Sequence, residues 1–84
     1  MRYEVVLKPR SRKDLAKMPK RAAGRIVAAL DGLAQDLAGD VKRLTNHTPE
    51  YRLRVGDWRV LFEIDQSNRV VVYRVRHRRD AYRT

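Results

Sequence analysis

Residues 51–62, Tyr-Arg-Leu-Arg-Val-Gly-Asp-Trp-Arg-Val-Leu-Phe, alternate apolar and polar on both sides of a Gly-Asp pair. That pattern reads as two strands joined by a two-residue hairpin. Gly56 in the first turn position supplies the positive φ that a type II′ turn requires. The register follows, with Val55 opposite Trp58 and Arg54 opposite Arg59. Tyr51, Leu53, Val55, Trp58, Val60 and Phe62 then share one face, and Arg52, Arg54, Arg59 and Leu61 share the other. Like charges directly opposite one another destabilise a sheet. A face that stacks three guanidinium groups is therefore expected to receive an anion.

The overall charge points the same way. Against 10 Asp and Glu stand 20 Lys and Arg, leaving a formal net charge of +10 and a pI near 10.9. A polyanionic partner is implied: nucleic acid, a membrane surface or an acidic protein. No apolar run approaches the ~18 residues of a membrane-spanning helix, and the first residues lack the apolar core of a signal peptide. No membrane association and a cytoplasmic location are expected. Without cysteine there are no disulfides and no Cys-based zinc sites, and His47 and His77 are too few for a His-rich one. Neither a metal, a cofactor nor a small-molecule ligand is expected.

Eighty-four residues make one small domain, residues 1–84, that must fold on a modest core. Tyr3, Val5 and Leu7 alternate with Arg2, Glu4 and Val6 in a short strand that Pro9 would end. Ser11 followed by Asp14 has the spacing of a helix N-cap with an acidic third position. Pro19 divides a first helix from a second, in which Ile26, Leu30, Leu33 and Leu37 recur at helical spacing. Gly39 is positioned to close that helix. Segment 40–50 shows no sustained period and reads as a loop. The hairpin, a Gln66-Ser67-Asn68 turn and a β-branched third strand over 70–75 complete the chain. The order is β-α-α-β-β-β, an α+β fold with two N-terminal helices on a mostly antiparallel sheet.

Four pieces in this order resemble the RelE/ParE superfamily of bacterial and archaeal toxins. They are Leu15-Ala16-Lys17-Met18-Pro19, Val41-Lys42-Arg43-Leu44, the hairpin from Tyr51 to Arg59, and Val75-Arg76-His77-Arg78-Arg79-Asp80-Ala81-Tyr82. The resemblance implies the same β-α-α-β-β-β architecture and the toxin half of a toxin–antitoxin pair. Its partners would be a cognate acidic antitoxin and messenger RNA on the ribosome. In the RelE branch the implied activity is a metal-independent, ribosome-dependent endoribonuclease, an mRNA interferase that inhibits translation. The alternative within the superfamily is a ParE-like toxin that inhibits gyrase without cutting RNA. A third reading is a nuclease-dead basic module that only binds the antitoxin.

Carried over by position, the implied site residues are Arg52, Arg54, Arg59, Arg78 and Tyr82, with Arg54, Arg59, Arg78 and Tyr82 catalytic and Arg52 binding RNA; Lys42, Arg43 and Arg79 are expected to add a basic rim that binds RNA. Metal-free RNA cleavage needs a base for the ribose 2′-hydroxyl, cations for the pentavalent phosphate and an acid for the leaving 5′-oxygen. Arg54 and Arg59 are expected to clamp the phosphate, and Arg52 to orient the backbone. Arg78 is expected to stabilise the leaving group, because a guanidinium surrenders its proton poorly. Tyr82 is the expected base; neighbouring guanidinium charges would lower its pKa toward the useful range. His77 is a second acid/base candidate. His47 reads as a surface or substrate-facing loop residue, and Trp58 as core. Where family members place lysines on the first hairpin strand, this chain has Arg52 and Arg54. That substitution favours bidentate phosphate binding over proton transfer.

Overall fold

A computed structural model of the chain describes residues 2–81. Strand β1 (Glu4–Leu7) leads into helices α1 (Pro9–Lys17) and α2 (Lys20–Asp36). Four strands follow: β2 (Asp40–Arg43), β3 (Tyr51–Val55), β4 (Trp58–Ile64) and β5 (Arg69–His77). They form one sheet in the order β1-β5-β4-β3-β2, parallel between β1 and β5 and antiparallel elsewhere. The expected α+β architecture, with two helices and a mostly antiparallel sheet, is the one observed.

The apolar stripe of α2 does what its spacing predicts. Ile26, Leu30 and Leu33 are buried against Leu53, Val60, Phe62, Val70, Val72 and Val75 from the sheet. Tyr51 stacks on Phe62 at 5.5 Å between centroids, an example of the aromatic cross-strand pairs that stabilise sheets. The hairpin has the predicted register, with Val55 on Trp58 and Arg54 on Arg59. Gly56 has φ +59, as its turn position demands.

Three local readings change. Segment 40–50 is not loop throughout, because its first four residues form β2 at the sheet edge. Only Val41 in β2 is half-buried and apolar, so no period could show; the backbone of β3 recruits the strand. Helix α2 is closed by Leu37 in the left-handed region (φ 56), whose N–H donates to the Leu33 carbonyl at 3.1 Å. Gly39 serves a different need. Its φ is +124, and a Cβ there would lie 2.8 Å from Leu53 Cδ1, so glycine lets the chain enter β2 tight against the core.

The third change concerns Ser11 and Asp14. Helix α1 begins at Pro9, a residue suited to a first turn where the missing N–H is not needed. Ser11 is therefore inside the helix, fully buried, with its hydroxyl donating to the Lys8 carbonyl at 2.7 Å. Asp14 points to β5 instead. Strand β1 ends opposite Val72, leaving the rest of that β5 edge uncovered. The Asp14 carboxylate accepts the Val75 N–H at 2.9 Å and the Arg74 guanidinium at 2.9 and 3.1 Å. A helix carboxylate thus satisfies a strand edge that β1 does not reach. The hydrogen bond that Arg74 donates to Asp14 raises the Arg74 pKa above its ordinary value against the opposing effect of burial.

Asp14→Ala is accordingly expected to cost about 2 kcal/mol, since it removes the partner of a half-buried guanidinium and of a backbone donor together. Urea unfolding of the variant checks this. An unchanged midpoint would mean that water replaces the carboxylate without loss.

Candidate nucleic-acid interface

The face of the sheet away from the α2 core carries two cross-strand rows. One runs Lys42–Arg52–Leu61–Arg74 and the other Asp40–Arg54–Arg59–Arg76, each across β2, β3, β4 and β5. The second row places Arg54, Arg59 and Arg76 side by side. Part of that arrangement comes from an irregularity in β5. Phe62 pairs with Val72 but Leu61 pairs with Arg74, so Tyr73 is an extra residue. The bulge reverses parity: Val70 and Val72 face the core before it, Val75 after it. Arg74 and Arg76 are thereby turned to the arginine face.

Lys42, His47, Arg52, Arg54, Arg59 and Arg78 line one cleft of about 430 Å3 there. Arg52 is held by Asp40, donating from Nη1 to its carbonyl at 2.7 Å and its carboxylate at 3.2 Å. Arg59 Nη1 donates to the Gly56 carbonyl at 3.0 Å and the Trp58 carbonyl at 2.9 Å, which ties it to its own hairpin turn. Arg78 is anchored by its N–H on the Asp57 carbonyl at 2.8 Å, with its Nε 3.9 Å from the Asp57 carboxylate. The side chains of Lys42 and Arg54 make no hydrogen bond or ion pair among the described residues, and both residues are exposed. The cleft therefore combines oriented cations with uncommitted ones.

Of the expected site residues, Lys42, Arg52, Arg54, Arg59 and Arg78 come together. Arg43 does not: it projects from the other side of β2 and pairs with Glu50 at 3.0 Å. That pairing raises its pKa from the ordinary value, by the hydrogen bond first and the charge second. Arg79 also lies apart, its N–H donating to His77 Nδ1 at 3.3 Å. His77 sits opposite Trp58, edge-on to that ring at 5.4 Å, on the helix-facing side of the sheet. The strand parity that exposes Arg76 is what turns His77 away from the arginines. Tyr82 lies outside the described residues.

The structure brings His47, read from the sequence as a surface or substrate-facing loop residue, to the edge of the cleft. Its Nδ1 lies 2.9 Å from the Pro49 carbonyl. A carbonyl only accepts, so Nδ1 is the donor of this pair. No local signal in Thr-Asn-His-Thr-Pro could have shown this, because the loop reaches the cleft only once β2 is paired. Among the described residues no group of three or more His, Cys, Asp or Glu could hold a metal ion. No helix among them is long and apolar enough to cross a membrane.

A family model described as ParE toxin of type II toxin-antitoxin system, parDE, matches residues 5–82. Among solved structures, the chain is similar to one in the toxin–antitoxin complex RelBE2 from Mycobacterium tuberculosis. Identity is 30% over 92% of this chain and 99% of that one, with a TM-score of 0.79. A chain of the archaeal RelE-RelB complex from Pyrococcus horikoshii OT3 is 26% identical over 93% of this chain and 97% of its own, with a TM-score of 0.74. A chain of the RelB-RelE antitoxin-toxin complex from Methanococcus jannaschii shares the fold at 24% identity, over 93% and 95% of the two chains, with a TM-score of 0.77. No curated protein sequence matches significantly.

Proposed function

The chain belongs to the ParE toxin family of type II toxin–antitoxin systems, within the RelE/ParE superfamily, and for its activity we propose that of the RelE branch, a ribosome-dependent messenger RNA endoribonuclease. The observation that carries the reading is the cleft itself. It gathers five cations and an imidazole, with Arg54 and Lys42 uncommitted beside guanidinium groups already oriented by backbone carbonyls and Asp40. Fixed donors aimed at developing charge need no reorganisation during the reaction.

In the proposed reaction the ribose 2′-hydroxyl attacks the adjacent phosphorus as its proton leaves to a base. The P–O5′ bond then breaks, the 5′-oxygen takes a proton, and a 2′,3′-cyclic phosphate and a 5′-hydroxyl end remain. Arg54 and Arg59 hold the non-bridging oxygens, Arg52 and Lys42 the flanking backbone, and Arg78 the leaving-group side. Tyr82 is the base. No guanidinium is suited to donate the leaving-group proton, whereas protonated His47 is, through Nε2. Arg43 and Arg79 contribute to RNA binding through the wider positive field alone.

The charge of +10 calls for an acidic antitoxin that covers the cations until the toxin is released. The similar solved chains come from toxin–antitoxin complexes, which supports such a partner. The second reading, inhibition of gyrase, draws on the ParE description of the matching family. Induction in a bacterial host separates the two, with messenger RNA ends and plasmid supercoiling followed together. Cuts within translated messages, each leaving a 5′-hydroxyl end, are expected. Relaxed plasmid beside intact messages would replace the nuclease reading with the gyrase one.

A further inference from the structure

We propose that the apolar groove next to the arginine cleft is a nucleobase subsite, which seats the base of a nucleotide adjoining the scissile phosphate. The inference rests on the nuclease reading for its substrate and extends it to a surface with no assigned role. The groove has a volume of about 530 Å3, within the roughly 300–1,000 Å3 of small-ligand sites. Its floor includes Leu61 and Ala81, at 2% and 1% exposure, and its walls include Pro9, Pro49 and Tyr73.

Leu61 is the apolar member of a sheet row otherwise made of Lys42, Arg52 and Arg74. A row built only for phosphate would have no use for it. Tyr73 is one of two large hydrophobic side chains left exposed among the described residues, at 37%, and is the extra, unpaired residue of the bulge in β5. Lys8 Nζ lies 5.6 Å from the centroid of its ring. A ring flanked by a cation, with flat proline walls nearby, suits a planar heterocycle attached to a polyanion.

Continuity decides for a nucleobase over other flat ligands. His47 borders both the groove and the arginine cleft. A strand whose phosphate lies among Arg54 and Arg59 therefore passes His47 on its way to the groove. Lys8 and Arg10 at the rim add the complementary charge. Base stacking on an aromatic side chain is tolerant of sequence, and the polar edges of the groove would set any preference.

The test is binding of a 2′-O-methyl RNA tetranucleotide, which cannot be cut, carrying 2-aminopurine at each position in turn. Wild type and Tyr73→Phe are expected to quench the fluorescence at one position. Tyr73→Ala should lose the quenching and bind about tenfold more weakly, the share of one base–aromatic stack. Arg54→Ala should weaken binding yet quench fully at saturation, which separates the base subsite from the phosphate cleft. Two results would overturn the proposal: equal quenching by Tyr73→Ala, or equal affinity for a tetranucleotide abasic at the quenched position. Tyr73 covered by the antitoxin, with no quenching by wild type, would assign the groove to the protein partner instead. Quenching by a wild type that cuts no message would leave the base subsite standing while the nuclease reading fell.

Discussion

Arg54→Ala should slow message cleavage by about 10²–10³ while leaving the folded protein as stable as before. The rate loss is that of one preorganised donor removed from a developing oxyanion. The stability expectation comes from the surroundings of the side chain. Arg54 is exposed, faces Arg59 in register and makes no hydrogen bond or ion pair among the described residues. Its removal relieves a like-charge neighbour and orphans nothing. Arg59 is a poorer probe despite the symmetry of the pair. Its guanidinium bonds the Gly56 and Trp58 carbonyls, so Arg59→Ala also loosens the turn that sets the hairpin register. Single-turnover cleavage on programmed ribosomes, paired with thermal unfolding, measures both effects. A folded Arg54→Ala protein that cuts at the normal rate would remove Arg54 from the phosphate site.

Tyr82→Phe and His47→Ala should each lower the chemical step by about 10²–10⁴, the usual share of a general acid or base. The two variants are expected to differ in kind. If Tyr82 is the base, wild-type cleavage rises with pH as the phenol loses its proton, and the Phe variant loses that limb. If His47 is the acid, cleavage falls once the imidazolium is deprotonated, and the Ala variant loses that second limb. A substrate with sulfur in place of the 5′-bridging oxygen leaves without needing a proton. It should restore His47→Ala and do nothing for Tyr82→Phe. Failure of sulfur to rescue His47→Ala would withdraw the acid role. Wild-type rates in Tyr82→Phe would remove Tyr82 as the base. His77 is not the next choice, because it faces Trp58 on the other side of the sheet.

The amino-acid sequence by itself determined the elements whose signals are local. A two-residue turn with glycine first, flanked by strict alternation, sets one register, and so Arg54 opposite Arg59 could be read directly. The spacing of Ile26, Leu30 and Leu33 likewise fixed the buried stripe of α2. The charge of +10 announced a polyanionic partner before any fold was known. Tertiary structure decided whatever depends on distant pairing. β2 exists because β3 offers it a backbone ladder, since one half-buried valine carries no period. Asp14 read as the acidic third position of a capped helix until the uncovered edge of β5 offered it Val75 and Arg74, some sixty residues away. His47 reached the cleft through that same late pairing. The extra residue at Tyr73 reversed strand parity, which put Arg76 with the arginines and His77 with the core. A bulge shifts every later side chain to the opposite face, and nothing in the run Val-Val-Val-Tyr-Arg-Val marks where it falls.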